Sequence, residues 1–156
     1  MKLRRAIPDA VRALGGDRLG WAVTEDGVPL VATTKVLHIG DETLPWVQIE
    51  RVSWNPPVLT ITEVAEVEGR GRVRTITVAE DHRLAEVIRA RVTSSIGWTD
   101  VRRLDPSGKV RLVGRRVPGQ DALLWQVVHL DGTDPADPVV RHQVDSLVAS
   151  LRATLG

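Results

Sequence analysis

Arginine side chains between residues 99 and 116 have the clearest capacity for binding chemistry in this sequence. This stretch carries six basic and two acidic side chains, a net charge of +4, whereas residues 21–69 have a net charge of −6. Guanidinium groups donate paired N–H bonds to phosphate and carboxylate oxygens. A basic face would therefore bind an anionic ligand, either a lipid headgroup or RNA. The candidate residues for this face are Arg102, Arg103, Arg111, Arg115 and Arg116.

The same arginines have a simpler interpretation as the solvated face of a strand, where side chains alternate between two sides. The chain is nearly neutral overall, with 21 Lys and Arg against 20 Asp and Glu, and it has no Phe or Tyr to stack on bases. Trp54, just before Pro56-Pro57, is a separate candidate for an interface side chain. The other four tryptophans are predicted to anchor the core.

The residue types that perform catalysis or hold a metal are not grouped in this sequence. The histidines, at positions 38, 82, 129 and 142, do not have the spacing of metal ligands. Asp131, Asp134 and Asp137 recur every three residues, but they lack the alternate spacing and closing Glu of a calcium loop. Ser94-Ser95 has no nucleophile-elbow flanks. We therefore expect no enzyme activity, no cofactor and no metal.

Composition predicts one cytoplasmic domain covering residues 1–156. The length suffices to bury a sizeable core, and the absence of cysteine excludes disulfides and thiolate metal sites. Asp9 and Arg12 interrupt any signal-peptide core, and no apolar run is long enough for a transmembrane segment.

The first two thirds of the chain predict an antiparallel sheet between two helices. Gly15-Gly16 ends a short helix over 8–14, and Asp81 and Gly97 bound a helix over 81–96. Gly69-Arg70-Gly71 is interpreted as a hairpin turn, because it lies between strands and not before a helix. The six predicted strands between the helices are 19–24, 28–33, 35–39, 46–54, 58–64 and 72–78.

The last third predicts a further sheet and a long helix. Strands are expected over 101–104, 110–117 and 123–130, with turns at the Pro and Gly residues between them. Asp137 is the predicted N-cap of the last helix, with Pro138 in its first position. Adjacent hairpins with covering helices favour an α+β fold over a parallel sheet.

Two motifs resemble bacterial pleckstrin-homology-like domains. One is the run Leu30-Val31-Ala32-Thr33-Thr34-Lys35-Val36-Leu37, in which a strand ends in a Thr-rich turn. The other is Leu44-Pro45-Trp46-Val47-Gln48-Ile49, which resembles the opening of the fourth strand. The resemblance covers residues 18–97 and implies a PH-like sheet or barrel of seven strands, capped by the helix at 81–96. Residues 1–17 would then be an N-terminal helix, and 98–156 a hairpin and helix extension.

The whole chain also resembles a family of uncharacterised actinobacterial proteins, through Leu44-Pro45-Trp46, Arg91-Val92-Thr93-Ser94-Ser95 and Asp134-Pro135-Ala136-Asp137-Pro138. That resemblance implies no mechanism. The sequence therefore predicts a non-enzymatic scaffold module for protein–protein interaction, which binds a partner protein or associates with itself. The alternative is binding of anionic lipid or RNA through the arginine face.

Overall fold

Ten strands and three α-helices form the part of the chain that the computed structural model describes, residues 6–64, 71–78 and 83–156. All strand pairs with a given register are antiparallel, so the predicted α+β class is confirmed. The chain divides into two compact units. The first contains Met1–Thr62 and Val73–Val92, and the second contains Glu63–Arg72 and Thr93–Gly156.

The first unit contains two sheets and two helices. A sheet of four strands has the order β1-β2-β3-β4, and a sheet of three has the order β5-β6-β7. Among the described residues these sheets do not close into a barrel. The elements are α1 (Asp9–Arg12), β1 (Arg18–Val23), β2 (Pro29–Thr33), β3 (Val36–Ile39), β4 (Glu42–Pro45), β5 (Ile49–Asn55), β6 (Val58–Glu63), β7 (Val73–Thr77) and α2 (Leu84–Ser94).

The predicted count of six strands before α2 is wrong, because β4 is a seventh. Gly40 has φ 59° and turns the chain so that Leu44 pairs with Leu37 of β3. A four-residue strand containing Glu42 and Thr43 has too little apolar periodicity to be recognised locally. The predicted strand over 46–54 is also shorter, because Trp46–Gln48 forms a 3-10 helix before β5.

The predicted hairpin of β6 and β7 is confirmed by its antiparallel register, in which Leu59 lies opposite Ile76. The predicted turn at Glu68–Gly71 lies mostly outside the described residues, and so do Asp81 and His82. Leu84, Ile88 and Val92 recur on one face of α2 and are buried in the core of this unit.

Trp46 connects the two motifs that carry the PH-like resemblance. Its side chain is only 5% exposed, and its Nε1 donates to the Thr33 carbonyl oxygen at 3.1 Å. The Thr33 hydroxyl in turn donates to the Val36 carbonyl oxygen at 2.9 Å and closes the turn between β2 and β3. The Thr-rich turn and the Pro-Trp segment are therefore held together by a buried hydrogen bond.

The second unit is a three-stranded sheet covered on one face by a helix. Its strands are β8 (Ile96–Arg103), β9 (Lys109–Arg116) and β10 (Leu123–Leu130), in the order β10-β9-β8. The hairpin of β9 and β10 lies within one residue of its predicted bounds. The strand predicted over 101–104 is longer, because α2 ends at Ser94 and the chain becomes extended at Ile96.

The last helix, α3 (Pro138–Leu155), confirms the predicted cap. The Asp137 carboxylate accepts a hydrogen bond from the Val139 amide at 2.9 Å, with Pro138 at the first position. Val140 and Val144 pack against Val110 and Leu112 of the sheet and against Leu104, which follows β8. No helix within the described ranges is both long and apolar enough to cross a lipid bilayer.

Gly114 allows two tryptophans to meet on the face that α3 covers. It lies between Trp98 and Trp125 in the register, and their ring centroids are 5.5 Å apart in an edge-to-face arrangement. A Cβ atom at position 114 would lie 2.9 Å from Leu123 Cδ1 and 3.1 Å from Trp125. Glycine at this position therefore accommodates the close approach of Leu123 and the Trp125 indole, and no turn is involved.

Candidate functional site

The register of β8, β9 and β10 distributes the predicted arginines over both faces of the sheet. Arg103, Arg111 and Arg115 alternate onto one face, whereas Arg102 and Arg116 lie on the other face, which α3 covers. The five arginines therefore do not form one continuous surface.

Arg115 is a buried part of the fold. Its side chain is 2% exposed, its Nε donates to Gln126 Oε1 at 2.9 Å, and its Nη1 donates to Ser95 Oγ at 2.6 Å. Ser95 directly precedes β8, and its hydroxyl oxygen is thereby engaged as an acceptor. The sequence predicted that Arg115 lies on a strand. It did not predict that the side chain is buried, because burial depends on which residues pack over that strand.

Arg102 is engaged by a neighbouring carboxylate. Its Nε donates to Asp100 Oδ2 at 2.7 Å, and this hydrogen bond is the main reason that the pKa of Asp100 lies below its usual value. Lys109 forms an ion pair with Asp131 at 3.4 Å. Arg116 is exposed on the face that α3 covers, and Arg103 and Arg111 are the exposed candidates for ligand binding on the opposite face.

Those two arginines belong to a mixed basic and apolar surface, which we call the basic rows. Lys109 lies opposite Arg103 and Leu130, and Arg111 lies opposite Val101 and Val128. No residue of these two rows is acidic, and Val101 is 43% exposed.

Trp54, the remaining predicted candidate, lies in the first unit. It is half-buried and packs against the core of that unit, where it lines a pocket together with Leu59, Val78 and Leu84.

The two edges of the C-terminal sheet differ in how they are protected. The Arg116 amide donates to the Ser95 carbonyl oxygen at 2.6 Å, so even-numbered residues of β9 direct their backbone groups toward β8. By the same alternation, Val101 directs its amide outward at the β8 edge. Asp100 Oδ1 accepts a hydrogen bond from that amide at 2.9 Å. This carboxylate and the charges of Arg102 and Arg103 protect the β8 edge from pairing with an added strand.

The opposite edge, on β10, has no such protection. Odd-numbered residues of β9 face β10, so Trp125, Val127 and His129 direct their amides and carbonyls outward. We call these outward backbone groups the β10 edge. Within the described part of the chain they have no hydrogen-bond partner. All eight residues of β10 pair with β9 without a bulge, and none is Asp, Glu, Lys, Arg or Pro.

His129 makes the stability of the second unit sensitive to pH. Burial lowers the pKa of this half-buried imidazole below its ordinary value of 6.5, partly opposed by the charge of Asp134. Between the folded-state pKa and 6.5 the unfolded chain binds more protons, so stability is lost as the pH falls through this window. We expect urea unfolding at pH 7.5 and at pH 5.5 to show a smaller loss in His129→Gln than in the original chain. Equal losses in both proteins would contradict this assignment.

The described residues also include a surface groove, but no grouped metal ligands. No three of their His, Asp and Glu side chains are grouped as metal ligands. A groove of about 540 Å³ in the first unit is lined by Ile7 and residues 16–21. Asp17 and Arg18 are its charged lining residues.

Comparison of the chain with known protein families, with curated proteins and with solved structures finds no match. Its function is therefore inferred from the placement of its own residues.

Proposed function

We propose that this protein is a non-enzymatic interaction module whose binding site is the β10 edge. The observation that carries the proposal is the contrast between the two edges of one sheet. The β8 edge carries three charged residues and a capped amide, whereas eight consecutive residues of β10 carry no formal charge beyond a titratable His129. Proteins usually protect edge strands with charges, proline or bulges, and an edge without them is suited to pairing with another strand.

An extended segment of a partner would bind by adding a strand beside β10. The outward groups of Trp125, Val127 and His129 would supply the backbone hydrogen bonds, which give affinity without sequence dependence. Leu124, Gln126, Val128 and Leu130 lie on one face and would contact alternate side chains of the added strand. The partner segment must then be uncharged or apolar at those positions, since unpaired charges beside them would lose hydration.

The PH-like resemblance of the first unit is part of this proposal. It is supported by seven strands in sheets of four and three, followed by α2, and by the hydrogen bond from Trp46 to Thr33. We also propose a cytoplasmic location, supported by the complete absence of cysteine.

A second candidate function is binding of a phosphate-bearing ligand, a lipid headgroup or RNA, by the basic rows. It is supported by Arg103 and Arg111, which are both exposed on a face whose two rows contain no carboxylate. This binding would weaken strongly with added salt, whereas strand addition at an uncharged edge would not.

Affinity capture from a native lysate at low and high salt separates these functions. We expect the original protein to retain a partner protein at both salt concentrations. Leu124→Lys and Val127→Pro should reduce recovery by about tenfold or more, which corresponds to about 1.4 kcal/mol of binding free energy. Leu124 is 44% exposed, so lysine is tolerated there, and proline at Val127 removes an outward amide that β9 does not use.

Two matched variants complete the experiment. Thr99→Lys places the same charge on the β8 edge and should leave recovery unchanged. Arg103→Glu with Arg111→Glu should also leave it unchanged. Equal recovery by the folded β10 variants would contradict the proposal. RNA or anionic lipid recovered only at low salt, and lost with the double glutamate variant, would instead support the second candidate.

A further inference from the structure

The chemistry of the β10 edge restricts which strand can bind there. Both faces of β10 present uncharged side chains beside the edge, with Leu124 44% exposed on the face that α3 does not cover. A matching strand must be extended over several residues, free of proline and uncharged on both faces. Among the described strands that lie at a sheet edge, β10 itself has these properties.

We propose that the β10 edge binds the β10 edge of a second copy, so that two three-stranded sheets join into one six-stranded antiparallel sheet. This inference rests on the proposed function of that edge and names its partner. The two copies would be related by a two-fold axis perpendicular to the sheet, the usual symmetry of a homodimer.

The alternation of β10 limits the register of such a pair. Opposite residues in an antiparallel pair share a face, so the axis must pass through a residue position and not between two. Centred on Val127, the pair would place Leu124 opposite Leu130 of the second copy. Centred on Gln126, it would place Leu124 opposite Val128. In both registers an exposed leucine becomes covered by an aliphatic side chain, which is favourable.

Within β10 itself, self-pairing also brings no like charges together. The same operation at β8 would align a strand containing Asp100, Arg102 and Arg103 with its own copy. Centred on Asp100 or on Arg102, that pair would place like charges directly opposite one another, which destabilises a strand pair. Centred on Val101, it would instead place Asp100 opposite Arg102. It would also have to displace the hydrogen bond from the Val101 amide to Asp100. The sheet therefore favours symmetric association at one edge and opposes it at the other.

Sedimentation velocity over a range of protein concentrations tests the proposal. We expect a concentration-dependent dimer for the original protein. Leu124→Lys and Val127→Pro should raise the dissociation constant by about tenfold or more, and Thr99→Lys should not change it. Circular dichroism identifies any variant that fails to fold, and the exposed position of Leu124 keeps one variant informative if Val127→Pro unfolds.

Engineered disulfides test the register directly, because the chain has no cysteine of its own. Residues on the two-fold axis have Cα atoms about 4.5 Å apart in a non-hydrogen-bonded pair and about 5.5 Å apart in a hydrogen-bonded pair. Both distances suit a disulfide. We therefore expect Gln126→Cys or Val127→Cys to form a covalent dimer on mild oxidation, with Thr99→Cys as the negative control.

A protein that is monomeric at all concentrations would overturn the proposal. So would a dimer that persists in both β10 variants and forms no disulfide at position 126 or 127. A monomer that still captures a different protein through the β10 edge would overturn the second copy as occupant while the proposed function stands. A monomer whose capture is unaffected by the β10 variants would contradict both.

Discussion

Replacement of Trp46 by alanine is expected to lower the free energy of unfolding of the first unit by about 4 kcal/mol. This value lies within the range for replacing a buried aromatic side chain by alanine. The indole is 5% exposed and belongs to the core cluster that contains Leu37, Leu44 and Ile49. Its removal leaves a large cavity and also leaves the Thr33 carbonyl without its indole donor. Both losses act on the same junction between β2 and the 3-10 helix.

The conservative variant Trp46→Phe separates the two contributions. Phenylalanine fills most of the space but has no N–H, so it should cost about 1–3 kcal/mol, the range for leaving a buried polar group unsatisfied. Urea unfolding followed by near-ultraviolet circular dichroism measures both variants, with Trp54→Phe as a control that has no such bond to Thr33. If Trp46→Ala cost no more than Trp46→Phe, the indole would contribute little packing, contrary to its burial.

Arg115→Ala is expected to destabilise the second unit by about 3 kcal/mol. The truncation leaves the side chains of Gln126 and Ser95 without the guanidinium donors at 2.9 Å and 2.6 Å, and an unsatisfied buried polar group costs about 1–3 kcal/mol. The buried aliphatic stem of arginine adds lost packing.

The neighbouring residue provides a matched control for this variant. Arg116 lies on the same strand but is exposed, so Arg116→Ala should change stability by no more than about 0.5 kcal/mol. Thermal and urea unfolding of both variants measure the difference. Equal effects would show that Arg115 is not held by the sheet. If Arg115→Ala left the free energy of unfolding almost unchanged, Arg115 would again be a candidate for ligand binding.

Local pattern was sufficient to predict much of the fold. The apolar spacing of residues 140–155 and the Asp137-Pro138 pair fixed the last helix, because capping and helical periodicity act over a few neighbouring residues. The hairpins of β6 with β7 and β9 with β10 followed from alternation and turn residues. The strand β4 was missed because four residues with one buried leucine carry too weak a pattern.

The candidate site was predicted less well, because it depends on pairing over long distances in the sequence. Arg102, Arg111 and Arg115 have similar local surroundings, yet one is paired with Asp100, one is exposed and one is buried. Their faces depend on the register with β9, including the shift between Ile96 and Trp98. Gly114 likewise gains its role from Trp98 and Trp125, which lie on two other strands.

The sequence by itself determined that β10 is an extended, uncharged segment without proline. Only the tertiary structure decided that this segment lies at the edge of its sheet, while the charged β8 lies at the other. A central strand with the same residues would have both rows of backbone groups paired and would present no binding edge. Sheet order is set by which strands bury their apolar faces together, and this free energy belongs to the assembled sheet and not to any one strand.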